Sequence, residues 1–273
     1  MLVSAAWLKE NLGSVKTVDA SWHMPDTGRD GTAEYLAGRI PGAARFDIDV
    51  VADQESALPH TMPSPHAFAD AVGAMGISET DTVVVYEAAA PFAAPRAYWM
   101  FRAMGHKSVA LLDGGFAKWT SEGGAVETGP PAPVTAVTYT PSPGKALFVD
   151  ADTVAAALEA GGTVIDARAP DRFAGKAKEP RPGIRSGHMP GALNVHYGQL
   201  VDADGSLKSE DDLRAAFLAA GVNLDQPAIT SCGSGVTAAI LAMALEKLGT
   251  DAAVYDGSWT EWGGDPKRPV VTD

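Results

Sequence analysis

The sequence predicts an α/β protein made of two consecutive copies of one domain, each an open, mainly parallel sheet flanked by helices. Two observations carry this prediction. Short β-branched runs alternate with helical patterns along the chain, and several segments of the first half recur in the second half. Alternation of strand and helix is typical of parallel sheets that are covered on both faces.

The recurrence involves four pairs of segments, whose offsets lie between 143 and 149 residues. The pairs are TVDAS (17–21) with VIDAR (164–168), GRIPGA (38–43) with GHMPGA (187–192), SPHAFADAVGAMGI (64–77) with SEDDLRAAFLAAGV (209–222), and LLDGGFAKW (111–119) with VYDGSWTEW (254–262). A repeat of this length is a whole domain. We therefore predict domains over 1–130 and 148–273, joined by an extended, proline-rich linker over 131–147.

The individual elements follow from apolar patterning and from end signals. The predicted strands are apolar at nearly every position, as in sheets buried on both faces. They cover 82–87, 109–114, 163–168, 227–232 and 252–257. The predicted helices end at glycines, and two of them start at a serine cap. They lie within 64–77, 94–105, 209–222 and 234–249.

Composition excludes several classes of function. The chain has 273 residues, and its 34 acidic and 21 basic residues give a net charge of -13, which disfavours binding to nucleic acid or to an anionic membrane. No run approaches the ~18 apolar residues that a membrane helix needs. The single cysteine allows neither an internal disulfide nor a CxxC pair, so we expect a reducing, cytoplasmic setting. No metal ligands gather at metal spacing, and we expect neither a metal nor an organic cofactor.

Cys232 is the residue most suited to covalent chemistry. It ends the strand of ITSCGSGVTAAI (229–240) and precedes a glycine-rich turn into a helix. Ligands of parallel sheets bind beyond the carboxyl ends of the strands. Backbone N–H groups and the helix dipole would there favour a thiolate over a thiol. The alternative is a small, buried and inert cysteine, which is common among lone cysteines.

The segment CGSGVTA (232–238) resembles the active-site loop of the 3-mercaptopyruvate sulfurtransferases, relatives of rhodanese. Other segments resemble the same family along nearly the whole chain. They are DASWHMP (19–25), GRD (28–30), RIPGAARFDID (39–49), APRAYWMFRAMGH (94–106), LLDGGFAKW (111–119), EPRPGIRSGHMPGALNV (179–195) and YDGSWTEW (255–262). The resemblance implies tandem rhodanese domains with an inactive N-terminal copy. In agreement, the N-terminal counterpart of the cysteine loop, YEAAAPFAAPR (86–96), has no cysteine.

The family also implies a reaction and a substrate site. Cys232 would accept sulfur from 3-mercaptopyruvate as a persulfide, release pyruvate and pass the sulfur to thioredoxin, to a small thiol or to cyanide. Arg172 and Arg181 match the substrate-binding arginines of the family, and a guanidinium fork can hold a carboxylate with an adjacent keto oxygen. Arg185 is interpreted as a surface residue.

Two further groups of residues complete the predicted site. Gly233, Gly235, Val236 and Thr237 would form the cradle around the sulfur, the glycines by permitting unusual backbone angles. Asp49 and His60 fall where the family places a buried acid and its histidine partner. With Ser234 they would either pass a proton or fix the position of the loop.

Three other functions compete with this one. A thiosulfate sulfurtransferase typically carries basic residues after its cysteine, whereas this chain has Gly233 and Ser234. A cysteine phosphatase needs the arginine of a C-x5-R loop, and Ala238 occupies that position, which excludes this class. An inactive rhodanese-like binding module would fit a chain without the cysteine.

Overall fold

A computed structural model of the chain describes residues 2–88 and 92–273. The chain divides into two compact units. Unit 1 comprises Met1–Glu55, Met62–Lys145 and Val201–Leu207, and unit 2 comprises Ser56–Thr61, Ala146–Leu200 and Lys208–Asp273. Each unit therefore includes a short segment from the opposite half of the sequence.

Unit 1 contains five strands and five α-helices among its described residues. The strands are β1 (Leu2–Val3), β2 (Lys16–Asp19), β3 (Ala44–Arg45), β4 (Val83–Tyr86) and β5 (Val109–Leu112), and the helices are α1 (Ala5–Asn11), α2 (Gly31–Ala37), α3 (Pro65–Ala74), α4 (Ala94–Ala103) and α5 (Gly115–Ser121). Two 3-10 helices cover Leu12–Ser14 and Pro25–Thr27.

Unit 2 repeats this inventory over the part of it that the structure describes. Its strands are β6 (Phe148–Val149), β7 (Thr163–Asp166), β8 (Leu193–Asn194), β9 (Ala228–Ser231) and β10 (Ala252–Tyr255), and its helices are α6 (Ala151–Glu159), α7 (Pro170–Phe173), α8 (Glu210–Ala219), α9 (Ala238–Lys247) and α10 (Ser258–Gly264). A 3-10 helix covers Tyr197–Leu200.

The two sheets have the same strand order. The order is β1-β5-β4-β2-β3 in unit 1 and β6-β10-β9-β7-β8 in unit 2, and the strand pairs of both sheets are parallel. All four residues of β4 and of β5 are buried, as expected for strands covered on both faces. The predicted fold class, two tandem α/β domains with parallel sheets, is confirmed.

The predicted capping serines and terminal glycines also agree with the structure. Ser64 and Ser209 cap α3 and α8, and their hydroxyls accept hydrogen bonds from the backbone N–H groups three residues ahead. The glycines expected to end α4 and α9, Gly105 and Gly249, have φ angles of 81° and 82°. No helix within 2–88 and 92–273 combines the length and apolar character needed to cross a membrane.

Candidate active site

Cys232 lies at the carboxyl end of β9, in the loop that leads into α9. The residue is 2% exposed, and the rest of the loop is buried except for the half-buried Gly233. The helix begins at Ala238, four residues later than the predicted start at 234. Gly235 is the cause, because its φ of +74° lies in the left-handed region and interrupts a right-handed helix. The cysteine therefore sits in a turn of irregular backbone.

The first turn of α10 holds this loop in place. The backbone N–H of Cys232 donates to Oγ of Ser258 at 3.1 Å, and that hydroxyl donates to the carbonyl of Tyr255 at 2.8 Å. The N–H of Trp259 donates to the carbonyl of Cys232 at 3.0 Å. Ser258 is fully buried and has a φ of 50°, which is unfavourable for a residue with a side chain. A strained backbone position thus supplies the hydrogen bond that fixes the cysteine amide.

Arg172 approaches the same loop from α7. A Cβ built on Gly233 would lie 3.3 Å from Nη2 of Arg172. Gly233 therefore serves the site through close approach, since its φ is outside the left-handed region, and only Gly235 of the two has the predicted unusual backbone angle. Arg172 is 27% exposed at its side chain, so part of the guanidinium remains accessible.

The guanidinium of Arg172 belongs to a buried ion-pair network that the sequence analysis did not identify. Its Nε and Nη2 donate to the two carboxylate oxygens of Glu179 at 3.2 and 2.6 Å. Glu179 also accepts from Nη1 of Arg168 at 2.9 Å, and Nη2 of Arg168 donates to Asp166 at 2.7 Å. Burial lowers the pKa of Arg168, but Asp166 and Glu179 outweigh it, and the net shift is upward. Arg168 therefore remains a fixed positive charge inside the network.

The other arginines differ from each other in their surroundings. Arg181, the second predicted substrate arginine, is half-buried on the segment that follows Glu179. Arg185, interpreted from the sequence as a surface residue, caps the carbonyl end of α10. Its Nε donates to Gly263 at 2.9 Å and its Nη2 to Trp262 at 3.1 Å. The surface interpretation of Arg185 is therefore wrong, because terminal carbonyls of a helix recruit cationic side chains.

The predicted acid and histidine fall in different units. Asp49 belongs to unit 1, and its carboxylate accepts from Nε1 of Trp22 at 2.7 Å. The residue is exposed, in contrast to the buried acid expected from the resemblance. His60 belongs to the Ser56–Thr61 segment of unit 2, is 6% exposed and has a φ of 62°. Of the remaining predicted residues, Ser234 and Thr237 are each 8% exposed and Val236 is 3% exposed.

Tyr197 is a further residue near the cysteine that the sequence did not single out. Burial raises the pKa of its phenol, and the electrostatic effect of the nearby Cys232 side chain raises it further. The backbone N–H of Tyr197 donates to Ala167, whose own N–H donates to Ser231, the residue before the cysteine. The His196 ring lies 4.6 Å from the Tyr197 ring, and burial lowers the His196 pKa. Both rings therefore lie at the carboxyl edge of the sheet that carries Cys232.

Unit 1 has a carboxylate where unit 2 has the thiol. Glu87 follows β4 as Cys232 follows β9, and it is 5% exposed. Its carboxylate accepts from the N–H groups of Phe92, Ala93 and Ala94 at 2.6, 3.1 and 3.1 Å. Burial raises the pKa of Glu87 to about 7, since the three N–H donors offset only part of the desolvation. Within the predicted counterpart loop 86–96, residues 89–91 lie outside the described residues.

No group of three or more His, Cys, Asp or Glu side chains within 2–88 and 92–273 is arranged to hold a metal ion. The groups around Cys232 are instead a thiol, hydroxyls, guanidiniums and carboxylates. This set can perform nucleophilic attack by sulfur and can bind a small carboxylate.

Comparisons with known proteins find relatives that extend over nearly the whole chain. Residues 4–122 and 150–265 each match the model of the rhodanese-like domain. The chain is 41% identical to the 3-mercaptopyruvate sulfurtransferase of Escherichia coli K12, over 98% of this chain and 96% of that protein. It is 40% identical to the thiosulfate/3-mercaptopyruvate sulfurtransferase 1, mitochondrial, of Arabidopsis thaliana, over 98% and 77% of the two chains.

Among solved structures, the crystal structure of SseA from Escherichia coli, a 3-mercaptopyruvate sulfotransferase with the rhodanese fold, superposes with a TM-score of 0.86. The two sequences are 38% identical, and the match covers 94% of this chain and 98% of SseA. Two matched domains and near-complete coverage by relatives establish the relationship. The chain belongs to the rhodanese family, as a tandem-domain member of its 3-mercaptopyruvate sulfurtransferase group.

Proposed function

We propose that this protein transfers sulfur from 3-mercaptopyruvate to a thiol or to cyanide through a persulfide on Cys232. The observation that carries the proposal is the position of Cys232, buried at the end of β9 in a loop where a Cβ built on Gly233 would lie 3.3 Å from the Arg172 guanidinium. The nucleophile and the proposed carboxylate-binding group thus lie beside the same loop, although they come from different elements. Membership of the family supports the same substrate.

The first half-reaction forms the persulfide. The Cys232 thiolate attacks the substrate sulfur, a sulfur–sulfur bond forms, and the carbon–sulfur bond of the substrate breaks. The electron pair of that bond leaves as the enolate of pyruvate, which takes up one proton. Arg172 and Arg181 bind the carboxylate and the keto oxygen, so they stabilise the negative charge that develops on the enolate.

The second half-reaction regenerates the thiol. An acceptor thiolate attacks the outer sulfur of the persulfide, and the Cys232 thiolate is the leaving group. We propose that Gly233, Gly235, Val236 and Thr237 surround the outer sulfur during this exchange. A small thiol or a thioredoxin-type protein would serve as the acceptor. The chemistry needs neither a metal nor an organic cofactor.

We assign Ser234, His60 and Asp49 to proton transfer or to positioning of the loop. Ser234 is two residues from the nucleophile and is buried, as is His60. A histidine in this role would take the substrate thiol proton or return one to the enolate. The variants His60→Asn and Asp49→Asn test the assignment, because a proton relay changes the pH profile of kcat whereas a purely positioning pair lowers kcat at every pH.

The experiment that tests the proposed function is a steady-state assay of the purified protein with 3-mercaptopyruvate and with thiosulfate, each with a thiol acceptor. We expect pyruvate release and a strong preference for mercaptopyruvate. Preference for thiosulfate would reassign the donor, and inactivity with both donors would favour a binding module. The variant Cys232→Ser should fold and lose turnover; a variant that transfers sulfur at the original rate would contradict the role of Cys232.

We further propose a reducing compartment, the cytoplasm, as the site of action. A lone thiol nucleophile has to remain reduced between turnovers, which a reducing compartment ensures. Fractionation of the cells that make the protein, with detection of the untagged chain, tests this location. Recovery with an organelle would contradict it.

A further inference from the structure

The structure assigns Glu179 as the residue that positions Arg172 and, through its charge, disfavours dianionic sulfur donors. This inference rests on the proposed function. It begins from the buried carboxylate of Glu179, whose side chain is 4% exposed and which accepts hydrogen bonds from two arginines. A buried carboxylate in a site that has to bind anions opposes binding unless it serves another purpose.

Glu179 positions Arg172 through a two-point contact. Nε of Arg172 donates to Oε1 at 3.2 Å and Nη2 donates to Oε2 at 2.6 Å, which fixes the plane of the guanidinium. Glu179 is itself held by Nη1 of Arg168 at 2.9 Å. Nη2 of Arg172, the atom nearest to a Cβ built on Gly233, is therefore held in one position beside the catalytic loop.

The anchor of this arrangement is Arg168. Its guanidinium donates to Asp166 and to the carbonyl of Gly187 at 2.8 Å, and it lies 4.2 Å from the centre of the Trp259 ring. Asp166 ends β7, and Trp259 donates its backbone N–H to Cys232. The network therefore connects the sheet, the cysteine loop and the substrate arginine through direct contacts.

The negative charge of Glu179 also acts on the anion that Arg172 binds. The network holds two carboxylates, Asp166 and Glu179, and two guanidiniums, Arg168 and Arg172, so its formal charges cancel. An anion bound by Arg172 would be separated from the Glu179 carboxylate by a single guanidinium. Because Coulomb energy scales with the product of the charges, Glu179 repels a dianion about twice as strongly as a monoanion. The charge of Glu179 therefore opposes the binding of thiosulfate more than the binding of a monocarboxylate.

The test compares Glu179→Gln and Glu179→Asp with a matched control, Asp171→Asn. Asp171 is exposed and adjacent to Arg172 in sequence, so the control removes the same charge from a solvated position. We expect E179Q to lower the ratio of kcat/KM for mercaptopyruvate over thiosulfate by about tenfold or more. E179D keeps the charge but shortens the reach, so KM should rise for both donors with the ratio retained. D171N should behave as the original protein.

Two results would overturn the inference. A ratio in E179Q within about threefold of the original would refute the charge effect, and unchanged KM values in E179D would refute positioning. Binding of pyruvate and of sulfate to the same proteins, measured by calorimetry, provides a readout that does not need turnover. E179Q should bind pyruvate more weakly and sulfate more tightly. The original protein could turn over neither donor while E179Q still binds pyruvate more weakly and sulfate more tightly than the original protein does. In that case the proposed function fails and the role of Glu179 stands.

Discussion

The hydrogen bond between Ser258 and Cys232 provides the sharpest test of how the nucleophile is held. Ser258→Ala removes the hydroxyl and leaves the buried Cys232 N–H without its acceptor, at a cost of about 1–3 kcal/mol in the free energy of unfolding. Alanine keeps the unfavourable φ of 50°. Ser258→Gly loses the same hydrogen bond but relieves that backbone, so it should be about 1 kcal/mol more stable than the alanine variant.

Activity separates positioning from stability. With the Cys232 amide released, the sulfur shifts relative to Arg172, and a shift approaching 1 Å costs up to about 100-fold in rate. We expect kcat/KM for mercaptopyruvate to fall roughly 10- to 100-fold in both variants, even though their stabilities differ. The measurements are denaturant unfolding and steady-state kinetics on the same preparations.

The control is Ser121→Ala, which removes an exposed hydroxyl at the end of α5 and should change stability by less than about 0.5 kcal/mol. If Ser258→Ala keeps the original kcat/KM, the hydrogen bond does not position Cys232 for catalysis. If the glycine variant is less stable than the alanine variant, the backbone at position 258 is not strained.

Three further predictions follow from close approaches and from burial. Glu87→Gln should remove a pH dependence of stability. The pKa of Glu87 is about 7 in the folded protein and 4.5 in the unfolded chain, so the free energy of unfolding of the original protein falls as pH rises through that interval. The loss is about 3 kcal/mol, at about 1.4 kcal/mol per pH unit. Unfolding at pH 4.5 and 7.5 measures the loss, and an equal loss in the glutamine variant would contradict it. Gly233→Ala should raise KM for mercaptopyruvate by about tenfold at unchanged stability, because its Cβ would press on Arg172 at 3.3 Å; an unchanged KM would argue against the contact. Gly187→Ala should destabilise the protein by more than about 2 kcal/mol, because its Cβ would lie 2.3 Å from the Val271 carbonyl and its φ is +121°. A variant whose Tm in thermal unfolding equals that of the original protein would contradict this prediction.

The four ten-residue helices of the described residues, and their four-residue strands except β2, could be predicted from sequence because they carry periodic or continuous apolar signals. The strands predicted over 82–87 and 252–257 are observed at Val83–Tyr86 and Ala252–Tyr255, and the serine caps and terminal glycines were correct. The two-residue strands β1, β3, β6 and β8 were not predicted. Two residues cannot show a pattern, and only pairing with a neighbouring strand defines them.

The site was predictable where residue type and position indicate chemistry or where the resemblance to the family supplies a residue. Cys232 was singled out for the first reason and Arg172 for the second, and the structure places both beside the same loop. Glu179 was missed although it begins the segment EPRPGIRSGHMPGALNV (179–195). The fold decides which side chain pairs with a buried carboxylate, and residue spacing does not show it. Ser258 left a clearer signal: the repeat aligns it with Gly115, whose φ is 58°, so a serine in a position suited to glycine could have been recognised.

The division of the chain into units has a consequence for its synthesis. Unit 1 includes Val201–Leu207, where the N–H of Leu207 donates to Asp113 at 3.0 Å and Lys118 pairs with Asp204 at 3.1 Å. The ribosome delivers this segment only after Ala146–Leu200 of unit 2 has been made. The N-terminal half therefore emerges first but waits for a late segment to finish its fold, while the C-terminal half needs residues 56–61, which emerged long before it. A fragment that ends between residues 145 and 146 would therefore lack one segment of its own unit, whichever half it contains.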